Sequence, residues 1–421
     1  MIYSNLVNNK NKINFAVIFI AILPLMSLIG SSIANSVIVI IDLIFLYEIL
    51  KKKNFSFLKD QFFYGLIFLW TVLLINLLFF SINFENSFSR SFGFIRFILL
   101  VFAIKYYLFE HDRKFKNIIL NSWLIIFFII SFDVLLEYFS GSNILGFKSS
   151  IPGRLVSFLD QEYKIGYIFS FLSLVSFAVI FSKYKNSKFA LVKFYLIILF
   201  ILFLSFIIGE RANFIKTFLM YLILIFILER KFFRFKYWIT SFFLIGLTLM
   251  IISSERSISS TSLQKDHGYT YRFWITFLKP FIKNPVKSLN ETNYGDHYKT
   301  AFYIFNDHKF FGVGLKNYRI IIYDESNKYN FNPSTHPHEK HLELLSELGV
   351  TGYLAFITFF LYCIICFLKK NSEYKNYYQP KVSLFFITNL IPLIPSGSLF
   401  STYSSTYFWI SFAFLIGYYK K

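Results

Sequence analysis

The sequence predicts an all-α protein threaded through a membrane by about twelve helices, with one large outer insertion late in the chain. Three observations carry that reading. Hydrophobic residues make up 56% of the 421, including 59 phenylalanines; charged residues are only 16%, and the mean hydropathy is +0.55. Such a make-up lies outside the range of soluble domains. Apolar runs of about 20 residues, enough to cross a bilayer, recur from end to end. The basic residues cluster in alternate loops between those runs, which is the positive-inside pattern. The net charge of +20 therefore points to membrane lipids as surroundings and not to nucleic acid.

In chain order, Lys10 and Lys12 precede an apolar run that resembles a signal peptide, but a second run follows directly and no cleavage site stands between them. It is read as a retained first helix. The expected spans are 14–30, 32–50, 62–81, 88–109, 117–138, 164–182, 190–208, 213–229, 237–254, 347–368, 380–396 and 402–418. Lys51-Lys52-Lys53, Lys105 with Arg113-Lys114, Lys183 to Lys188, Arg230-Lys231 and Lys369-Lys370 fall in alternate loops. These loops and both termini are expected on the cytoplasmic side. Cys363 and Cys366 share one apolar run and imply no disulfide framework.

Two outer loops are long, about 139–163 and about 255–346. Residues 1–254 then form one membrane unit, 255–346 a helical cap, and 347–421 a second membrane unit. The cap carries six of the seven histidines. Within it, Tyr271 to Leu278 and Tyr298 to Phe305 read as amphipathic helices, and Phe310-Phe311-Gly312-Val313-Gly314-Leu315 as a tight glycine turn.

The densest chemistry is Ser334-Thr335-His336-Pro337-His338-Glu339-Lys340-His341, at the lip of the tenth span. Pro337 suits a helix's first turn, with Ser334 or Thr335 as cap. His338 would then lie at a helix N-terminus, where the dipole keeps imidazole neutral and favours a nearby anion. Three other readings stand beside this one. The histidines can be interface or capping residues. His336, His338 and His341 can be zinc ligands, although the metalloprotease spacing H-E-x-x-H is not met. Glu339, Glu343 and Glu347, four apart, read as a solvated helix face.

Charges outside the basic loops are few and expensive near hydrocarbon. Arg211 sits in a very short outer turn and either pairs with Glu210 or holds an anion. Arg154 and Glu162 lie in the other long outer loop, Arg272 on the first cap helix, Arg319 after the glycine turn, and Arg90 and Arg96 about span four. A guanidinium fork matches two pyrophosphate oxygens at once. Asp42 and Asp133, the main carboxylates inside spans, read as local caps or pairs.

These residues resemble the O-antigen ligase and O-antigen polymerase superfamily of bacterial envelope glycosyltransferases. That family has a histidine, then Asn, Ser or Gln, nine residues, then Gly-x-x-Gly. Here His338 is followed by Glu339, nine residues, then Gly349-Val350-Thr351-Gly352. Thr335 to His338, Phe311 to Arg319, Tyr298 to Phe305, Arg154 with Glu162 and Gly166, and Gly209-Glu210-Arg211-Ala212 add to the likeness. Glu339 departs from the pattern. Asn293-Tyr294-Gly295-Asp296-His297 lacks the arginine that the family tends to place there, so Arg272 is its substitute.

The resemblance implies a glycosyltransferase-C-like fold and a metal-independent transfer needing no cofactor, on the periplasmic face of the inner membrane. The donor would be a glycan on undecaprenyl pyrophosphate, and the acceptor a lipid A–core sugar. His338 would be the general base. Arg211, Arg272 and Arg154 would hold pyrophosphate, with His336, Arg319 and Glu162 in support. A polymerase joining lipid-linked units is the alternative, and an exporter or flippase the alternative of a different class.

Overall fold

The computed structural model describes residues 14–151, 153–160, 162–227, 279–284, 287, 293–324, 334–371 and 379–417. Among them the regular structure is helical, without strands. The larger helices are α1 Phe15–Ile29, α2 Ser31–Lys52, α3 Gln61–Phe79, α4 Phe84–Ser91, α5 Ile95–Lys105, α6 Arg113–Ser140, α7 Ile165–Tyr184, α8 Ala190–Ile207, α9 Arg211–Ile227, α10 Asn293–Asp307, α11 Tyr318–Asp324, α12 Lys340–Asn371, α13 Gln379–Thr388 and α14 Thr402–Ile416. Six helical stretches are long and apolar enough to cross a membrane, and α1 and most of α8 form shorter apolar helices. The chain is an all-α polytopic membrane protein. The expected span 237–254 and the expected helix at Tyr271 to Leu278, with Arg272, lie outside the described residues.

Position in the bundle follows composition. Every residue of α14 from Tyr403 to Ile416 is buried, and α7 is buried from Ile165 to Ala178. Small hydroxyl residues, Ser404, Ser405, Thr406 and Ser411 of α14 and Ser170, Ser173 and Ser176 of α7, let neighbouring helices pack closely on every side. Outer helices keep one apolar face open: α3 exposes Tyr64, Phe68, Leu78 and Phe79 while burying Phe62, Leu66, Leu69 and Leu73. Trp123 of α6 donates to the Ile20 carbonyl at 2.9 Å, so even the tie between α6 and α1 satisfies its polar atom.

Two departures from expectation shape the site. α12 is two helices joined at Gly349, whose φ of 65° and ψ of −170° leave the helical region. The glycine turn at 310–314 crosses this break backbone to backbone. Val313 and Gly314 N–H donate to the Ser346 and Glu347 carbonyls at 3.2 and 2.8 Å, while Val350 and Thr351 N–H donate to Lys309 and Phe310 carbonyls at 2.8 and 3.1 Å. Each orphan group made by the break finds a partner. A Cβ on Gly349 would lie 2.4 Å from the Phe310 carbonyl, and one on Gly312 would lie 2.4 Å from Leu348 N. The Gly-x-x-Gly motif is thus a crossing point that admits no side chain.

The second departure is the span expected at 380–396. Its helix ends at Thr388, and Asn389 to Ser401 turn away as a loop. Pro392 and Pro395 lack the N–H that a continuing helix would need, and Leu393 takes a left-handed φ of 64°.

Candidate active site

One end of the bundle opens into a cleft of about 1490 Å³. Ser31, at the start of α2, lines it, whereas Lys52 closes the other end of that helix. α7 and α12 likewise begin near the cleft and run toward Lys183 and Lys369. The cleft therefore faces away from the lysine-rich loops.

The loop before α12 brings the histidine motif to the cleft, though not as a helical turn. The helix starts at Lys340, and His338 precedes it with a left-handed φ of 57°. Neither Ser334 nor Thr335 caps it. Glu339 does, its Oε2 accepting the Leu342 N–H at 2.8 Å; a carboxylate serves there as a shorter polar side chain would. The Ser396 N–H donates to the His338 carbonyl at 2.6 Å, so the proline-broken loop of 389–401 fixes the motif's backbone.

Three imidazoles gather here. The His338 ring centroid lies 4.1 Å from that of His336 and 5.2 Å from that of His297 on α10, with the Tyr294 ring at 5.8 Å. Burial, then His297, pushes the His338 pKa down to about 4. Burial, then His338, holds His336 well below the ordinary imidazole range. Both rings are neutral at neutral pH because of desolvation and mutual repulsion, not the helix N-terminus expected from sequence. His336 Nδ1 lies 3.1 Å from Thr335 Oγ1, and its buried Nε2 has no hydrogen-bond partner among the described residues. His341 turns elsewhere, to the Leu390 carbonyl at 2.8 Å and Tyr353 Oη at 3.3 Å. The three candidate zinc ligands are therefore not brought together.

Arg154, Arg211 and Arg319 all line the cleft. The first two come from separate outer turns clamped together: the Leu155 N–H donates to the Ile208 carbonyl at 3.0 Å. Gly209, at φ 77°, passes so close that a Cβ would meet the Gly153 carbonyl oxygen at 2.0 Å. Arg154 Nη2 donates to the Tyr163 carbonyl at 3.0 Å, and its guanidinium lies 4.8 Å from the Tyr163 ring centroid. Glu210 does not take up Arg211 as sequence allowed. Its Oε1 accepts the Gly166 N–H at 2.7 Å and its Oε2 accepts from Asn213. Burial raises its pKa, and Arg154 offsets part of that. Glu162 also lines the cleft and pairs with Lys164 at 2.6 Å. Arg90 reaches it too and donates to the Phe400 carbonyl at 2.7 Å. Arg96 does not; it folds back onto the Gly93 carbonyl at 2.8 Å.

The carboxylate row of α12 corrects the expectation most. Glu339, Glu343 and Glu347 are 3%, 2% and 2% exposed, so they form a buried spine and not a solvated face. Glu343 accepts from Ser398 and from the Leu399 N–H at 2.7 Å. Glu347 faces the backbone of Lys316 and Tyr318. Each carboxylate meets a different backbone segment at the cleft. The serines at 396–401 were hidden in an apolar run; Pro392 and Pro395, three apart, were the available signal.

Chemically, the cleft sets neutral imidazoles among guanidinium groups, which suits proton removal beside a multiply charged anion. A family model described as O-antigen ligase matches residues 196–357, a stretch that includes Arg211, the glycine turn and the whole histidine motif. No curated protein matches the chain. The matched segment resembles an O-antigen ligase domain, and with the motif spacing and the all-helical membrane fold it supports a likeness to the O-antigen ligase and polymerase superfamily of glycosyltransferases.

Proposed function

We propose that the protein is an O-antigen ligase: it moves a glycan from undecaprenyl pyrophosphate to a lipid A–core hydroxyl at the periplasmic face of the inner membrane. One observation carries this reading. A single cleft joins a neutral histidine cluster to guanidinium groups supplied by separate outer turns. The basic loops lie at the opposite end, which by the positive-inside rule turns the cleft outward.

In the reaction the acceptor oxygen bonds to the anomeric carbon of the donor sugar as the bond from that carbon to pyrophosphate breaks. His338 takes the hydroxyl proton, and the pyrophosphate leaves with the bonding electrons. Arg154 and Arg211 offset its charge, with Arg272 as the expected third contributor and His336 and Glu162 in support. Burial alone makes His338 a weak base. A bound pyrophosphate reverses that, because its negative charge stabilises the imidazolium as it forms.

The test uses purified protein, lipid-linked glycan and core glycolipid. His338→Ala is expected to lower the transfer rate by about 10²–10⁴-fold while donor binding persists, His341→Ala stays far more active, and chelators have no effect. Chelator sensitivity with His336, His338 and His341 equally necessary would sink the base assignment. Products lengthened on the lipid carrier, with no glycan on the core, would replace ligase by polymerase.

A further inference from the structure

The basic residues of the cleft fall into two groups, built from different elements. The first is Arg154 and Arg211 with Lys164, set by the clamp between 153–155 and 208–209. The second is Arg90, Lys316 and Arg319, each of which lines the same cleft. Its geometry comes from the glycine-turn loop docked on the start of α4. Ser87 Oγ donates to the Leu315 carbonyl at 2.7 Å, Asn317 Nδ2 donates to Ser81 Oγ at 2.9 Å, and the Ile82 N–H donates to the Val313 carbonyl at 3.0 Å. Arg90 lies one helical turn beyond Ser87, and Arg319 two residues beyond Asn317.

Ring distances and electrostatic proximity order the groups along the cleft. Arg211 interacts with Arg154 and Tyr294. The Tyr294 ring borders His338, His338 borders His336, and His336 feels Arg319. Arg90 and Lys316 then sit in the field of Arg319. The histidines thus lie between two cationic groups.

Glu343 and Glu347 also act on Arg90, but Glu343 is engaged by Ser398 and the Leu399 N–H, and Glu347 faces the backbone of Lys316 and Tyr318. They border loops and offset three cations only in part. Arg319 Nε is buried without a hydrogen-bond partner among the described residues, as a donor awaiting an anion would be.

We infer that the cleft holds two anion subsites, one on each side of the histidines, and that Arg90, Lys316 and Arg319 bind a phosphate carried by the acceptor. This rests on the glycosyltransferase reading and adds the acceptor's chemical class. A phosphorylated core sugar or the pyrophosphate of a second lipid-linked glycan has the required chemistry. Either would hold the acceptor hydroxyl against His338 while the donor pyrophosphate occupies the other group.

The experiment measures transfer in nanodiscs with core glycolipid, the same glycolipid after phosphatase treatment, and a second lipid-linked glycan, with donor affinity measured separately. Phosphate removal should raise the acceptor KM about tenfold, as expected for losing charge-assisted hydrogen bonds. Arg90→Gln and Arg319→Gln should raise it similarly for the phosphorylated acceptor, add nothing for the treated one, and leave donor affinity unchanged. Arg319→Lys should fall between, and retained donor binding shows that each variant is folded. If only the lipid-linked glycan is extended, the same pattern on removing its pyrophosphate assigns the phosphate to the carrier. Weakened donor binding in Arg90→Gln or Arg319→Gln would mean one continuous pyrophosphate site, and an acceptor KM indifferent to phosphate would equally overturn the second subsite. A protein that binds donor but transfers to no acceptor is a separate result: it refutes the glycosyltransferase reading itself, and the subsite with it.

Discussion

The two ends of the bundle use carboxylates differently. At the lysine-rich end they pair with cations directly: Glu48 with Lys52 at 3.2 Å, and Asp60 and Glu110 with Lys105. At the cleft, buried carboxylates mostly accept from backbone N–H groups. Glu137 takes Val156 and Ser157, Glu210 takes Gly166, and Glu343 takes Leu399. Glu162 with Lys164 is the exception, at an exposed position. The contrast teaches that one end neutralises its charge internally. The other ties its acids to loops around a cleft lined by arginines.

The largest expected effect tests the role of those arginines. Arg211→Lys keeps the charge but loses the planar fork; about a hundredfold loss of transfer is expected, with the protein still accumulating in the membrane. Full activity in Arg211→Lys, or recovery on also replacing Glu210, would make the arginine a partner of its neighbour and erase the contrast.

Next in size is an effect of pH. The His338 pKa lies near 4 in the cleft against about 6.5 in an unfolded chain. As pH falls through 6.5 the unfolded chain takes up a proton that the cleft refuses. This histidine's contribution to stability is therefore complete above about pH 6.5 and drains away as pH falls toward 4. Thermal unfolding in nanodiscs should show the midpoint falling over that window, with a shallower slope in His338→Asn. An unchanged slope in that variant would contradict a buried neutral ring.

The smallest effects compare the ends directly. Glu137→Ala strands the Val156 and Ser157 N–H groups, at 3.0 and 2.7 Å from its oxygens, and should cost roughly 1–3 kcal/mol. It should also raise the donor KM, since the loop carrying Arg154 loosens. Glu48→Gln removes the charge of a side chain paired with a half-exposed lysine but keeps an oxygen in its place, and should cost about 1 kcal/mol or less. Equal losses in a denaturation assay would show that both ends depend on their acids alike.

Much of the site was legible because it rests on local chemistry. Arginines are conspicuous in outer turns, so Arg154, Arg211 and Arg319 stood out, and the spacing from His338 to Gly349 could be counted. Asp133, read from sequence as a local cap or pair, instead accepts the Ile144 N–H at 2.9 Å and the Ser157 hydroxyl at 2.6 Å and so ties α6 to the outer loop. What escaped depends on distant contacts. Glu343 and Glu347 look like helix surface until Ser398 and Leu399, more than fifty residues later, close over the first of them. His297 sits in a helix of ordinary amphipathic character and joins the cluster only through packing. The break at Gly349 was countable as a motif, but its meaning required the partner turn at 310–314.

That break also serves as a depth mark. From Val350 to Lys369 the second half of α12 has roughly 20 residues, which at about 1.5 Å each span about 30 Å, the hydrocarbon thickness of a bilayer. Residues 340–348 are then surplus to the crossing and rise into the headgroup layer, carrying Glu343 and Glu347 with them. Counted that way, Gly349 marks the edge of the hydrocarbon, and the imidazoles of the loop before α12 fall at the level of the lipid headgroups.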